Sequence, residues 1–303
     1  MVHSDVLAWV ESPLQLLGAA EWGAAHRVRV PVAGRLTAQM PQTGDELLAR
    51  GAWFGALAPY LGIPWGLLAR HRHWLVGDGF SGQFRLAASV LRPRRVTFLD
   101  DGANTIPFAD SMLGARPYAR PQIDERGLTA RVAPLARATV LDRAHDHRAS
   151  FFTAFDLGDA RRGRLEDRGF DIGTHGFEWT RSSARPPAEL GRRVLLGSAR
   201  PVDGRMPRSD YLDWARGVAA QGPVSYLPHR REPADLVADV AAIAGVRVVR
   251  TDLPVELVLA GTREPLEIFT QPSSTTTTLR LVLQGTGSTV AGRSTGTGST
   301  VSR

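Results

Sequence analysis

Cysteine and lysine are both absent from the 303 residues of the chain. Without cysteine the protein can have no disulfides, no thiol catalysis and no cysteine-ligated metal. All 37 basic residues are therefore arginine, and with 30 acidic residues they give a formal net charge of +7. Arginine keeps its charge and grips phosphate or carboxylate with a planar fork. Because these arginines are scattered and have no interleaved aromatics, we expect no nucleic-acid binding, but weak attraction to an anionic substrate or membrane face.

Long apolar runs are absent as well. No segment approaches the roughly 18 apolar residues of a membrane span. The opening sequence, MVHSDVLAWVESP, has no basic stretch before its apolar residues, unlike a secretory signal. We therefore expect a cytoplasmic protein that makes a peripheral contact with the inner membrane face.

The first half of the chain alternates short apolar strands with helices. We predict strands at 6–10, 27–32, 73–78 and 95–100, and helices at 11–22, 44–62, 81–91 and 141–155. Such alternation indicates a mainly parallel sheet covered by helices, with its ligand crevice at the carboxyl ends of the strands. Ser12, Asp78 and Asp101 all follow predicted strands, so they can converge on one cleft.

After a linker-like segment at 178–190 the alternation restarts. We predict strands at 193–198, 224–229, 246–250 and 266–270, and helices at 209–220, 233–245, 254–261 and 272–283. The domains are then an N-terminal Rossmann-like unit over 1–185 and a C-terminal one over 190–284. Two such units facing a central cleft describe the α/β GT-B architecture of many glycosyltransferases, although the pattern also allows other two-domain α/β folds.

The C-terminal segment 285–303 has low complexity. The hexapeptide GTGSTV occurs at 285–290 and again at 296–301, and glycine, serine and threonine dominate. Such a stretch buries too little apolar surface to offset its ordering entropy. We therefore predict a poorly packed tail, an incomplete second domain with an exposed apolar flank at 279–283, low activity, and little loss of stability when 285–303 is deleted.

Four polar motifs are candidates for chemistry. They are LDDG with Asp100, Asp101 and Gly102; YLPHRRE with His229; DLPVELVL with Glu256; and PSSTTTTL with Ser273 and Ser274. Taken singly, each has an ordinary structural explanation as a turn, a strand-end histidine, a surface charge or a helix cap. Their combination and their order carry more information than any one of them.

Together these motifs resemble those of bacterial sialyltransferases, including the polysialyltransferase-like and lipooligosaccharide families. Those families carry D/E-D-G, HP and Ser or Ser-Ser motifs in the same order. The stretch ESPLQLL, with Ser12 and Gln15, is similar to their Ser/Thr-Pro-Leu-Gln opening. Arg230 stands where the HP motif has proline. The resemblance covers about residues 5–283 and is weak through 110–190.

The resemblance implies an inverting, metal-independent transfer of sialic acid or a related nonulosonic acid from a CMP-activated donor to a glycan hydroxyl, without a further cofactor. Asp101 would be the base that takes the proton of the acceptor hydroxyl. Asp100 would raise its neighbour's pKa by like charge and orient the loop. His229, whose ordinary pKa lies near neutrality, would protonate the CMP leaving group or neutralise its charge.

The remaining residues would bind the donor or shape the acceptor side. Glu256 would bind the ribose hydroxyls, and Ser273 and Ser274 would bind the phosphate at a helix N-terminus. On the donor side we also place Gly197 and Ser198, and on the acceptor side, in binding or structural roles, Ser12, Gln15, Asp78, Asp100 and Gly102. The sequence HDH at 145–147 lacks helical ligand spacing, so we predict no metal site. Two alternatives stay open: a GT-B enzyme with another nucleotide sugar, and a non-catalytic nucleotide- or glycan-binding relative.

Overall fold

The computed structural model describes residues 5–121, 123, 125–186 and 190–292. The chain divides into two compact units, Met1–Ser183 and Ala184–Arg303. Each unit is built on its own parallel sheet. None of the helices among the described residues is long and apolar enough to cross a membrane.

The first unit contains seven strands and nine helices in its described part. In chain order they are β1 (Val6–Val10), α1 (Pro13–His26), β2 (Val30–Arg35), α2 (Met40–Ala49), β3 (Phe54–Tyr60), α3 (Trp65–Arg70), β4 (His73–Val76), α4 (Gly82–Leu91), β5 (Arg95–Phe98), α5 (Thr105–Leu113), α6 (Leu128–Arg131), α7 (Ala133–His145), β6 (Ala149–Thr153), α8 (Asp159–Glu166), β7 (Asp171–Thr174) and α9 (Glu178–Ser182). The strands are all parallel in the order β3-β2-β1-β4-β5-β6-β7. The chain direction across the sheet reverses between β1 and β4, which is the switch point of a doubly wound sheet.

The central strands of this sheet are buried from end to end. All five residues of β1 are buried, as are the last three of β4 and of β5. Strands that are covered on both faces need continuous apolar runs rather than alternation. Aromatic rings fill the layer between sheet and helices, for example Trp9 edge-on to Trp74 at 6.2 Å and Phe98 against Phe108 at 4.5 Å between ring centroids.

The second unit repeats the same winding in a smaller form. In chain order its elements are β8 (Arg193–Leu196), α10 (Arg208–Ala219), β9 (Val224–Leu227), α11 (Ala234–Ala241), β10 (Val246–Val248), α12 (Val255–Leu259), β11 (Glu267–Thr270), α13 (Thr275–Val282) and β12 (Thr289–Gly292). The strands are parallel in the order β10-β9-β8-β11-β12. Its switch point therefore lies between β8 and β11.

Two predicted helices are wrong in their second halves. The helix expected at 44–62 ends with α2 at Ala49; Gly51, at φ 83°, then turns the chain into β3, which pairs with β2. The helix expected at 141–155 ends with α7 at His145, and β6 follows it beside β5. Both strands are rich in apolar or aromatic residues that also fit the periodicity of a helix. Pairing with a neighbouring strand therefore decides that these segments are strands and not helices.

The C-terminal segment also differs from its prediction. Residues Thr289–Gly292 form β12, which pairs with β11 over four residues, and the Thr289 N–H donates to Leu266 O at 2.8 Å. Leu279 and Val282 are fully buried, so the predicted exposed flank is wrong. Deleting 285–303 would therefore remove a strand of the second sheet. Residues 293–303 lie outside the described part of the chain.

Candidate active site

In the first unit an acidic centre lies at the carboxyl ends of β1, β4 and β5. Asp101 follows β5, and its side chain is 26% exposed. Its Oδ1 accepts a hydrogen bond from Gln15 Nε2 at 2.8 Å. Its Oδ2 accepts from Asn104 Nδ2 at 3.0 Å and from Arg120 Nη1 at 3.4 Å. Donors from three separate segments thus fix the orientation of a carboxylate that solvent still reaches.

Gln15 reaches Asp101 because of the way α1 begins. Ser12 caps this helix, accepting from the Gln15 N–H at 3.4 Å, and Pro13 occupies its first position. The Gln15 side-chain Oε1 accepts from the Glu11 N–H at 2.7 Å, which leaves the amide nitrogen for Asp101. A Cβ at Gly77 would lie 2.2 Å from this oxygen, so the end of β4 needs glycine there. The Ser-Pro-Leu-Gln stretch therefore places a buried amide at the acidic centre.

Asp78 is the second acid of this centre, and it is buried. It forms an ion pair with Arg120 and accepts from the Phe80 N–H at 2.8 Å. Burial, and after it the negative charge of Asp101, raise the pKa of the Asp78 carboxyl to about 7, against the opposing effect of Arg120. Arg120 also contacts Asp101, so a single guanidinium spans both acids.

Asp100 has a different role from that of its neighbour. It is 3% exposed, and its carboxylate accepts three hydrogen bonds. The donors are the Thr153 hydroxyl at 2.5 Å, the Thr105 hydroxyl at 3.0 Å and the Ala154 N–H at 2.7 Å. Asp100 therefore ties the β5 loop to the end of β6. Gly102, at φ 59°, then turns the chain toward α5. The buried Asp100 carboxylate has its hydrogen bonds made within the fold, whereas Asp101 faces solvent. Two adjacent acids can therefore follow this strand.

In the second unit His229 follows β9 and is half-buried. Its Nδ1 accepts from the Arg231 N–H at 3.1 Å, which assigns the proton of the neutral ring to Nε2. Burial, followed by the charges of Arg230 and Arg231, lowers the pKa of His229 to about 4. At neutral pH the ring therefore donates one hydrogen bond but does not carry the positive charge that its ordinary pKa suggests. Arg230 supplies a charge beside it.

Glu232, the last residue of the YLPHRRE motif but not itself a predicted site residue, holds the loops of this unit together. Its carboxylate accepts hydrogen bonds from four groups. They are the hydroxyls of Tyr211 at 2.7 Å and Tyr226 at 2.6 Å, and the N–H groups of His229 at 2.8 Å and Ser198 at 3.2 Å. Burial raises the pKa of both tyrosines, so they remain donors. At Gly197 a Cβ would lie 2.2 Å from the His229 nitrogen. Gly197 and Ser198 thus shape the carboxyl edge around Glu232.

The two serines lie across the switch point from Gly197 and Ser198, after β11. Ser273 is exposed and Ser274 half-buried, and the Ser274 hydroxyl does not cap α13. The N–H groups of Thr276 and Thr277 are bonded to the carbonyls of Ser273 and Ser274, at 3.2 and 3.0 Å. An anion at this helix start would therefore use the serine hydroxyls and the first N–H groups rather than the whole first turn.

Glu256, for which the resemblance implies ribose binding, lies inside the second unit. It is 5% exposed on α12, and its Oε1 accepts from the Thr278 hydroxyl at 2.6 Å. This contact braces α12 against α13. A ribose-binding carboxylate would have to present its oxygens to a ligand, which this buried arrangement does not favour.

Sequence motifs found part of these sites and missed the rest. Gln15, Asp78 and Asp101 meet in one centre, whereas Asn104 and Arg120 were not predicted. Asn104 had a detectable signal, since it follows Asp101 by three residues at a helix start. Arg120 had none, because it lies in an irregular segment. Among the described residues no group of three or more histidines, aspartates or glutamates is placed to hold a metal ion.

Comparison with known proteins identifies the fold. No protein-family model matches the sequence. No curated protein matches it either. Among solved structures, UDP-glucose: anthocyanidin 3-O-glucosyltransferase in complex with UDP matches with a TM-score of 0.51 at 9% identity, over 97% of this chain and 81% of that chain. Acinetobacter baumannii MurG gives a TM-score of 0.34 at 11% identity, over 96% and 86%. The predicted fold class is confirmed: the chain has two parallel-sheet α/β domains with a GT-B-like fold.

Proposed function

We propose that the protein is an inverting, metal-independent glycosyltransferase that moves sialic acid or a related nonulosonic acid from a CMP-activated donor to a glycan hydroxyl. The observation that carries this proposal is the accessible Asp101 carboxylate, held by Gln15, Asn104 and Arg120 at the carboxyl edge of a GT-B-type domain. The choice of donor rests on the resemblance of the LDDG, PHRRE and PSSTT motifs.

In this proposal Asp101 acts as the base. The acceptor hydroxyl oxygen attacks the anomeric carbon, its proton passes to Asp101, and the bond from that carbon to the CMP phosphate breaks. A positioned base typically contributes about 10²–10⁴-fold. The carboxylate accepts hydrogen bonds from Gln15, Asn104 and Arg120, which fix its orientation. In this proposal its exposed part faces the acceptor hydroxyl. Asp78 and Arg120 are positioning residues in this scheme.

The second unit would receive the CMP phosphate. The neutral His229 ring offers its Nε2–H as a donor, and Arg230 offers a full charge where the HP motif has proline. The hydroxyls of Ser273 and Ser274 add donors at the start of α13. Binding of the phosphate beside His229 would raise the pKa of the ring, so the histidine gains a proton only when the donor is present.

A second candidate is a GT-B enzyme with a different nucleotide sugar. One observation favours it: the solved glucosyltransferase with the same fold contains UDP. A non-catalytic relative would keep nucleotide binding without transfer.

Nucleotide-dependent thermal stabilisation separates these candidates. We expect CMP to raise the melting temperature of the wild-type protein and UDP or GDP to leave it unchanged. Hydrolysis and transfer from CMP-linked sialic acid, measured with a panel of glycan acceptors, then tests catalysis. Stabilisation by UDP alone would replace the first candidate by the second. CMP binding without donor hydrolysis would favour the non-catalytic relative.

The proposed place of action is the cytoplasm, at the inner membrane face, because CMP-activated sugars are cytoplasmic. Fractionation of cells that express the protein tests this proposal. We expect it in the cytoplasmic fraction, with a salt-sensitive share on membranes. Protein that stays in the supernatant with anionic vesicles at low salt would contradict the membrane contact.

A further inference from the structure

Six arginines surround one cavity at the amino-terminal edge of the first sheet. The cavity has a volume of about 800 Å³, and Asp5 is the single carboxylate in its lining. The arginines are Arg27, Arg29, Arg72, Arg94, Arg95 and Arg148. They come from four separate stretches of the sequence, which is why the composition alone does not reveal the cluster.

The cavity is separate from the acidic centre. Arg27 and Arg29 follow α1. The other four arginines lie at the starts of the parallel strands: Arg72 before β4, Arg94 and Arg95 at β5, and Arg148 before β6. Asp101 lies where the strands end. A strand of five residues spans about 16 Å, at roughly 3.3 Å per residue. Ligands of doubly wound sheets bind at the carboxyl edge, so the amino-edge cavity belongs to neither the donor nor the acceptor.

The positive charge of the cavity is mostly uncompensated. Arg27, Arg29, Arg72, Arg94 and Arg95 are all exposed, and none of their guanidinium groups makes an ion pair within the described residues. Arg148 alone has an acid nearby, with its Nη1 3.6 Å from Asp146. Asp5 accepts from the Arg72 N–H at 3.2 Å rather than from a guanidinium.

A neighbouring histidine responds to this charge. Burial, and after it the charge of Arg95 and the neighbouring His26, lowers the pKa of His73 to about 3. The ring is therefore neutral, and its Nε2 lies 2.9 Å from the Thr97 hydroxyl. Like charges held around one concavity repel one another, and an anion placed among them would relieve that repulsion.

We propose that this cavity binds a ligand that carries two or more phosphate groups. One or two guanidinium forks satisfy one phosphate, so five unpaired arginines exceed what a single phosphate needs. The volume is that of a small-molecule pocket. The phosphates belong either to a soluble compound or to the headgroups of an anionic membrane, and the two sources are separable by experiment.

Titration calorimetry with tripolyphosphate tests the site. The double variant R29Q/R94Q removes two exposed arginines of the cavity. The control R162Q/R164Q removes the same number of charges from α8, which does not line it. We expect tripolyphosphate affinity to fall at least tenfold in R29Q/R94Q and less than twofold in the control. Absence of binding to the wild-type protein, or equal losses in both variants, would overturn the proposal.

Co-sedimentation with phosphatidylcholine vesicles, with and without phosphatidylglycerol, distinguishes the sources. Binding to the anionic vesicles that R29Q/R94Q abolishes assigns the phosphates to headgroups. Tripolyphosphate binding without vesicle binding assigns them to a soluble compound. Glycosyl transfer should be unchanged in R29Q/R94Q because neither arginine touches the acidic centre, so this result is independent of the proposed function. Vesicle binding that R29Q/R94Q retains, without tripolyphosphate affinity, would contradict the site.

Discussion

At the carboxyl edge of the first sheet, Asp101 is 26% exposed and three side chains hold it from different segments. At the corresponding edge of the second sheet, Glu232 receives two tyrosine hydroxyls and two backbone N–H groups. The first carboxylate keeps an open side on which a proton can arrive. The second is saturated, and therefore serves to fix the loops that carry Ser198 and His229.

We propose that this difference gives the two domains opposite electrostatic tasks. Around Glu232, the groups left to meet a ligand are a neutral histidine, Arg230 and the serine hydroxyls, all of which donate hydrogen bonds. Around Asp101, the exposed part of the carboxylate is an acceptor, and the Arg120 guanidinium beside it is 25% exposed. Under the proposed function, Asp101 would accept the proton of the acceptor hydroxyl and the donors of the second unit would bind the phosphate.

Replacing Asp101 by asparagine should have the largest effect on activity. The amide keeps the shape of the side chain but cannot take a proton, so we expect transfer to fall by about 10²-fold or more. CMP affinity should change little because the residues proposed to bind the nucleotide lie in the other domain. Initial rates and CMP titrations measure the two quantities separately.

Asp171, which is 58% exposed on β7, provides the matched control, and Asp171→Asn should transfer normally. Near-normal transfer by Asp101→Asn would remove this residue from the role of base.

Replacing Gly197 by alanine should damage the second edge. The new Cβ would lie 2.2 Å from the His229 nitrogen and 2.4 Å from Glu232 Oε2, so the loops must separate. We expect the free energy of unfolding of the second unit to fall by about 2–4 kcal/mol. Urea denaturation measures this change. At Gly217, within α10, a Cβ meets nothing within 4 Å, and Gly217→Ala should stabilise by about 0.5–1 kcal/mol. Equal effects would show that Gly197 is not tightly packed.

How much the sequence could predict differs between the two edges. The LDDG motif and the Ser-Pro-Leu-Gln opening are local patterns, and the fold brings Gln15 to Asp101 because both follow parallel strands. The role of Glu232 within the YLPHRRE motif could not be recognised, because Tyr211 comes from α10 and meets Tyr226 and Glu232 only when the unit folds. The same limit applies to the arginine cavity, because Arg27 and Arg148 lie at opposite ends of about two thirds of the first unit's sequence.

Local periodicity also failed where a segment fits two structures. The sequence of β3 contains alanine and leucine, which suit a helix, and only pairing with β2 makes it a strand. In the C-terminal segment, Thr289–Gly292 lacks large apolar residues except for Val290, yet the open side of β11 supplies backbone hydrogen bonds that composition does not report.

Removing the hydroxyls of Ser273 and Ser274 should weaken donor binding moderately. The double variant Ser273→Ala with Ser274→Ala loses charge-assisted hydrogen bonds to the phosphate, and we expect CMP affinity to fall by about 1–3 kcal/mol. Ser209→Ala, at the exposed start of α10, is the control and should bind CMP normally. CMP affinity equal to that of the wild type would place the phosphate elsewhere.

The smallest expected effect is the pH dependence that Asp78 gives to stability. Its pKa is raised from 3.8 to about 7, so the folded protein holds this proton more tightly than the unfolded chain. The stabilisation is complete below pH 3.8 and is lost as the pH rises toward 7, after which it stays constant. Between pH 6 and 8 the change attributable to Asp78 is about 1 kcal/mol, since one pKa unit corresponds to about 1.4 kcal/mol.

Urea denaturation of the wild type and of Asp78→Asn at pH 4, 6, 7 and 8 measures this effect. Asparagine resembles the protonated acid and cannot lose the proton, so the stability of the variant relative to the wild type should rise with pH over this range. Asp171→Asn, an exposed acid of the same unit, should follow the wild type at every pH. A difference between Asp78→Asn and the wild type that rises between pH 4 and 6 but stays constant from pH 6 to 8 would show that Asp78 loses its proton below pH 6. Arg120 would then outweigh burial in setting the pKa of Asp78, and this carboxyl would be charged at neutral pH.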